Sequence, residues 1–163
     1  MSELLDTCVL VYMDNILIFS KSAQEHRQHV MQVFEKLNAH NWHVKSKKCA
    51  FFLPEVEFLG HVVSADGIKV AQTKVDAVAQ WPVPTCVRDV QAFLGLANFY
   101  RRFVHRFADI ASPLTDLTCK DIEFVWTAEC AASFKTLKTA LTTAPVLQVF
   151  DDAKPSELWV DAS

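Results

Sequence analysis

Tyr12-Met13-Asp14-Asn15 stands between two apolar runs, Cys8-Val9-Leu10-Val11 and Ile16-Leu17-Ile18-Phe19. Both runs favour β structure, and Asp and Asn tolerate the left-handed backbone of a tight two-residue turn. The stretch therefore predicts a β-hairpin with Asp14-Asn15 at its tip. Strands that are apolar on nearly every residue belong in a sheet covered on at least one face. Asp14 is then left at the exposed end, a position suited to a metal ligand. Taken alone, the same pair equally fits an ordinary turn that binds nothing.

Outward from the hairpin, Ser22-Ala23-Gln24-Glu25 is a capping box, and Val30, Val33, Phe34 and Leu37 follow at helical spacing, predicting a helix over residues 22–41. β character returns from Phe51 to Val63, and Ala65-Asp66-Gly67 supplies a turn into a short strand through Ile68 and Val70. Hairpin, helix, hairpin makes an α+β layer in which the helix covers a sheet face. From Thr73 the pattern turns helical. A short helix on Val75, Val78 and Ala79 must end at Pro82 and Pro84. A long one, capped by Thr85, carries Val87, Val90, Phe93, Leu94, Ala97, Tyr100, Val104 and Phe107 over more than five turns, with a break at Ser112-Pro113. Gly95 inside it costs ~1 kcal/mol relative to Ala, so it is either tolerated or closely approached by something. A third helix runs from Thr127 through Phe134, Leu137 and Leu141 towards Pro145, and Leu158-Trp159-Val160-Asp161 reads as a strand just begun.

The 163 residues, 51% of them hydrophobic, suffice for one good core or two small ones and exclude a disordered chain. No run approaches the ~18 apolar residues of a membrane helix, and the first residues lack a leader pattern, so an intracellular location, cytoplasm or nucleus, and no membrane partner are expected. Five cysteines without a C-x-x-C pair argue against a disulfide framework. The net charge of −3 is unevenly spread: residues 1–110 hold 12 Lys and Arg against 11 Asp and Glu, residues 111–163 hold 4 against 8. Two basic clusters lie in the first part, at Lys45, Lys47 and Lys48 and at Arg101, Arg102 and Arg106. A modest phosphate-facing surface is therefore compatible with the composition.

Several further motifs follow the hairpin in order. They are Val44-Lys45-Ser46-Lys47-Lys48-Cys49, Val56-Glu57-Phe58-Leu59-Gly60-His61-Val62-Val63, Trp81-Pro82-Val83-Pro84, Phe93-Leu94-Gly95-Leu96-Ala97-Asn98-Phe99-Tyr100-Arg101-Arg102-Phe103, Ser112-Pro113-Leu114-Thr115 and Val160-Asp161-Ala162-Ser163. With Tyr12-Met13-Asp14-Asn15 at its head, this series closely resembles the reverse transcriptase of gypsy-type long-terminal-repeat retrotransposons, over essentially the whole chain. The resemblance implies a partial palm at residues 1–70, a helical thumb at 71–115, a connection at 116–147 and the start of a ribonuclease H-like strand at 148–163.

By the same resemblance, RNA-directed DNA polymerisation uses two Mg²⁺ ions held by an early palm aspartate and by the aspartates of a Tyr-x-Asp-Asp hairpin. Asp14 matches the first of these; Asn15 replaces the second with a neutral amide, a weaker ligand for a hard cation. Only eleven residues precede Tyr12, and the fingers and early palm aspartate are expected to be absent, so the chain alone is expected neither to bind Mg²⁺ productively nor to polymerise. Phe58-Leu59-Gly60-His61 matches the primer grip, although alone it would read as an ordinary buried hairpin. Gln91, Gly95 and Phe99, at four-residue spacing, match a row that tracks the minor groove of a primer–template duplex, with Arg101, Arg102 and Arg106 placed for phosphates. Phe99 in the core with solvated arginines is nearly as good a reading of those residues. Lys47 or Lys48 resembles the palm lysine near the incoming triphosphate. Asp161 matches the leading metal ligand of ribonuclease H, without its partner carboxylates. The implied partner is an RNA or DNA primer–template duplex. A hairpin lacking its neighbouring strands would also favour self-association, or palm and fingers supplied in trans. The competing reading is a non-enzymatic nucleic-acid- or protein-binding module derived from a retroelement.

Overall fold

The structure, a computed structural model, describes residues 3–120 and 122–148. The predicted ribonuclease H strand and Asp161 lie outside the described residues. The chain divides into two compact units, Met1–Phe58 and Leu59–Ser163.

In the first unit, β1 (Val9–Tyr12) and β2 (Asn15–Ile18) pair antiparallel in the register Val9↔Ile18, Leu10↔Leu17, Val11↔Ile16 and Tyr12↔Asn15. The turn is therefore Met13-Asp14, one residue earlier than expected, and Met13 takes the positive φ of 53°. The ladder explains the shift. In this register Val9, buried in the unit's small core, faces Ile18, which packs on the same core, whereas a turn at Asp14-Asn15 would set Val9 against the polar Ser20. One hairpin face then meets α1 (Ala23–Ala39), where Cys8, Val9, Val33 and Leu37 form a small buried core flanked by Leu4, Ile16 and Ile18. The Ser22 half of the predicted capping box starts this helix: Ser22 Oγ accepts from the Glu25 amide at 3.3 Å. A 3-10 turn, Ser46–Lys48, and β3 (Glu55–Phe58) complete the unit.

The second unit opens with β4 (His61–Ser64) and β5 (Gly67–Val70), paired antiparallel around the expected Ala65-Asp66 turn. Gly67, at φ +128°, lies against the backbone of Leu147, and a Cβ there would collide with the Leu147 carbonyl oxygen. The close approach lets Ile68 and Leu147 exchange backbone hydrogen bonds of 2.8 and 2.9 Å. Ile68 and Val70 in turn pack on a helical core built from α2 (Gln72–Ala79), α3 (Val87–Phe99), α4 (Phe107–Asp116) and α5 (Ala128–Thr142), with Phe93, Leu114, Leu137 and Leu141 fully buried. α5 packs against both α4 and α2, and Thr127 caps it as expected, accepting from the Cys130 amide at 3.2 Å.

The single long helix from Thr85 to Phe107 is corrected. α3 is capped at Cys86 and stops at Phe99; a 3-10 turn, Arg101–Phe103, follows, and α4 begins after Arg106, which is left-handed at φ 52°. Thr85 lies just outside the cap because its amide and hydroxyl both donate to Asp89, at 2.9 and 2.8 Å. Those bonds, the amide's first, hold the Asp89 carboxyl below its usual range. The apolar stripe continues across the break because Tyr100, Phe103 and Val104 are buried in the same core. Periodicity alone could not reveal the interruption. The expected break at Ser112-Pro113 is also corrected: Pro113 sits inside α4. Burial of Leu114 and Leu117 carries the helix one turn past it, tertiary packing outweighing the lost hydrogen bond.

Candidate nucleic-acid interface

The hairpin tip follows from the register. Pairing closes at Tyr12↔Asn15 and leaves Met13 and Asp14 outside the ladder, both exposed. Asn15, the first residue of β2, is exposed as well. Asp14 is thus one carboxylate on a fixed turn, with an amide rather than a second carboxylate beside it. Among the described residues no group of three or more His, Cys, Asp or Glu side chains converges to hold a metal ion. A two-metal centre needs several charged oxygen ligands. The described residues do not fit one by themselves. Lys47 and Lys48 lie exposed in the 3-10 turn of the same unit.

The other candidates cluster in the second unit, apart from Phe58, which ends β3 and is half-buried. Leu59 and Gly60 make the turn into β4 and both take positive φ, 52° and 79°. Gly60 is required twice over: its φ is costly for other residues, and a Cβ would stand 2.9 Å from the Tyr100 hydroxyl oxygen. That hydroxyl donates to the Gly60 carbonyl at 2.9 Å, which also accepts from the Ala71 amide at 3.2 Å. A bond spanning forty residues fastens the turn to the end of α3.

α3 presents Gln91, Gly95 and Phe99 on one exposed face. Nothing lies within 4 Å of where a Gly95 Cβ would be, so no part of the second unit fills the gap. Phe99 is 57% exposed, which removes the reading of it as a core residue, although one side of its ring packs on His61 and Tyr100. Arg101 and Arg102 follow immediately and are exposed. Arg106 differs. Its Nε donates to Asp109 at 2.7 Å across the start of α4, so part of its charge is already neutralised. His61 sits inward, against three aromatic rings, rather than on the exposed face. Tyr100 and Phe103, which hold this arrangement together, read in the sequence only as members of an apolar stripe. No local signal marks a phenol bound for a carbonyl so far away in the chain.

Residues 1–63 match the reverse transcriptase (RNA-dependent DNA polymerase) family, and residues 126–163 match the RNase H-like domain found in reverse transcriptase. The chain is 40% identical over 161 residues to the retrovirus-related Pol polyprotein from transposon 297 of Drosophila melanogaster, covering 98% of the chain and 15% of that protein. It is 36% identical over 163 residues to the transposon Tf2-7 polyprotein of Schizosaccharomyces pombe, covering the whole chain and 12% of that protein. Among solved structures, the foamy viral protease-reverse transcriptase in complex with double-stranded DNA superposes with a TM-score of 0.81 at 30% identity, over 89% of the chain and 26% of that protein. The same viral protein in complex with an RNA/DNA hybrid gives 0.79 at 30% identity, over 90% and 20%.

Proposed function

The chain belongs to the reverse transcriptases of retrotransposon Pol polyproteins, and from that premise we propose that its second unit holds the primer–template duplex on which RNA-directed DNA polymerisation is carried out. In this reading residues 1–70 are palm, 71–115 thumb, 116–147 connection and 148–163 the start of a ribonuclease H domain, and the motif order is of the gypsy type. The observation that carries it is the exposed row of Gln91, Gly95 and Phe99, with open space at Gly95, beside the Leu59-Gly60 turn. An α-helix without a Cβ at that position lets a sugar–phosphate backbone approach closely, while an exposed ring supplies apolar area for a sugar. The foamy viral relatives were solved on duplexes, which supports the same partner.

The palm tip contributes Asp14 as one ligand towards the divalent metal, Mg²⁺, that the family's chemistry uses. The remaining ligands must come from residues other than those described.

Duplex binding is expected to be weak, independent of sequence and steeply weakened by salt. With Arg101 and Arg102 as the exposed cations and Arg106 tied to Asp109, the log–log salt slope is expected near about −2, since each neutralised phosphate contributes ~0.9. Arg102→Ala should flatten that slope by about one unit, and Arg106→Ala by much less. Fluorescence anisotropy across a salt series measures both. A slope unchanged in Arg102→Ala removes that residue from the phosphate contacts.

The first unit favours protein contact as well. Leu10, Val11, Tyr12 and Met13 on the hairpin, with Trp42, Phe51 and Phe52, are exposed, apolar side chains that burial against a partner would stabilise. Self-association of the isolated chain is expected by light scattering at tens of micromolar. A monodisperse monomer with no uptake of a hydrophobic dye sinks that expectation.

A further inference from the structure

His61 enters β4 directly after the Leu59-Gly60 turn, and its ring is held by three aromatic side chains. It stacks on Phe99 with centroids 5.3 Å apart and planes 17° apart, stacks on Phe103 at 5.8 Å and 20°, and meets Tyr100 edge-on at 5.3 Å. Its Nδ1 is buried without a hydrogen-bond partner among the described residues. An imidazole so placed is stacked on two aromatic rings and has no acceptor at that nitrogen for the second proton of the charged form. Burial accordingly pushes its pKa below the usual imidazole range.

We propose that His61 is a positioning residue for duplex binding: its neutral ring, stacked on Phe99 and Phe103, locks the Leu59-Gly60 turn to the end of α3 so that turn and helix meet a duplex as one surface. The inference rests on the duplex reading above and deepens it. Two features act in parallel on the same turn, the ring stack and the Tyr100 hydroxyl on the Gly60 carbonyl. The stack also fixes one side of Phe99 while its other side stays exposed. The charged and titratable groups on the adjoining elements leave the ring neutral. The Tyr100 phenol is bonded to Gly60, and Arg101 and Arg102 of the 3-10 turn are exposed. On β5, Val70 stands opposite His61, whereas Lys69 pairs with Val62 and so points to the other face of the hairpin.

The folded pKa lies below the unfolded value of 6.5, so the unfolded state takes up the proton first as pH falls. The lock is therefore complete above that pH and weakens as pH drops through it.

The test uses the full 163-residue chain and two readouts, amide hydrogen exchange and affinity for a primer–template duplex. The Ala71 amide, which donates to the Gly60 carbonyl, reports on the turn, and the Leu137 amide in α5 reports on global opening. His61→Ala is expected to speed exchange at Ala71 at least about tenfold with little change at Leu137, and to weaken duplex binding several-fold. His61→Phe, which keeps the stack, should restore both. Between pH 7.5 and 5.5, after correction for intrinsic exchange, Ala71 should lose protection in the unsubstituted chain and keep it in His61→Phe. Unchanged Ala71 exchange in a folded His61→Ala overturns the proposal even if duplex affinity falls, because the ring would then be a direct contact. If His61→Ala does not fold, the pH comparison decides, and equal behaviour of the unsubstituted chain and His61→Phe overturns it. Failure of the unsubstituted chain to bind a duplex at low salt sinks the duplex reading itself and this proposal with it. The exchange data would then show only whether the ring fastens the turn.

Discussion

Primer extension by a polypeptide of residues 1–163, in Mg²⁺ or Mn²⁺, is expected to be undetectable, and Asn15→Asp is expected to leave it so. The hairpin holds Asp14 exposed at its tip with an amide as its neighbour. Restoring a carboxylate at position 15 adds one hard ligand to one. Asp14 lies in the turn and residue 15 opens β2, so even two carboxylates there would need further charged oxygen ligands from elsewhere to bridge two ions. Among the described residues no such group converges. Two-metal catalysis requires both ions at once, since one activates the attacking hydroxyl and the other stabilises the leaving oxygen. A partial set is therefore expected to give a loss of many orders of magnitude rather than a graded decline. The assay is template-directed incorporation of a labelled nucleotide, with contaminating polymerase excluded by a parallel preparation of Asp14→Ala. Incorporation that vanishes only in Asp14→Ala would show that these residues complete a site after all.

What the sequence displayed and what it hid divide along physical lines. The Ser22 cap, the Thr127 cap and the turn within Ala65-Asp66-Gly67 are local chemistry, written within four residues, and each stands where the pattern puts it, Gly67 opening the strand. The Met13-Asp14 turn was one residue off because ladder register, not turn preference, chose it. The break between α3 and α4 was invisible for a related reason. Tyr100, Phe103 and Val104 continue the apolar stripe through a segment that is not α-helical, and hydrophobic spacing records burial, not backbone. At the candidate interface, spacing did place Gln91, Gly95 and Phe99 on one face. It could not show that this face is open, whereas the Arg106–Asp109 pair is a local i,i+3 spacing that the sequence does carry. The aromatic cage around His61 needed the tertiary fold, since its members come from a strand start and a helix end far apart in the chain.

The contrast between two phenylalanines on α3 gives the sharpest remaining test of the duplex reading. Phe93 is fully buried, with Phe134 at 4.6 Å and Trp81 at 5.9 Å between ring centroids. Phe93→Ala is expected to cost ~3–5 kcal/mol, enough to unfold much of a marginal domain. Phe99 stands six residues on and is 57% exposed. Its truncation gives up part of the stack on His61 and edge contact with Tyr100, a loss of about 1 kcal/mol or less. The larger effect should appear in binding. An aromatic anchor at an interface is worth roughly 2 kcal/mol on truncation, about thirtyfold in affinity. Thermal melts and duplex titrations on the two variants therefore ought to rank them in opposite order, Phe93→Ala worse in stability and Phe99→Ala, still folded, worse in binding per unit of folded protein. A melt that collapses as far in Phe99→Ala as in Phe93→Ala, with undetectable binding by the unsubstituted chain, would make this face structural. The open space at Gly95 would then need a protein neighbour rather than a duplex to explain it.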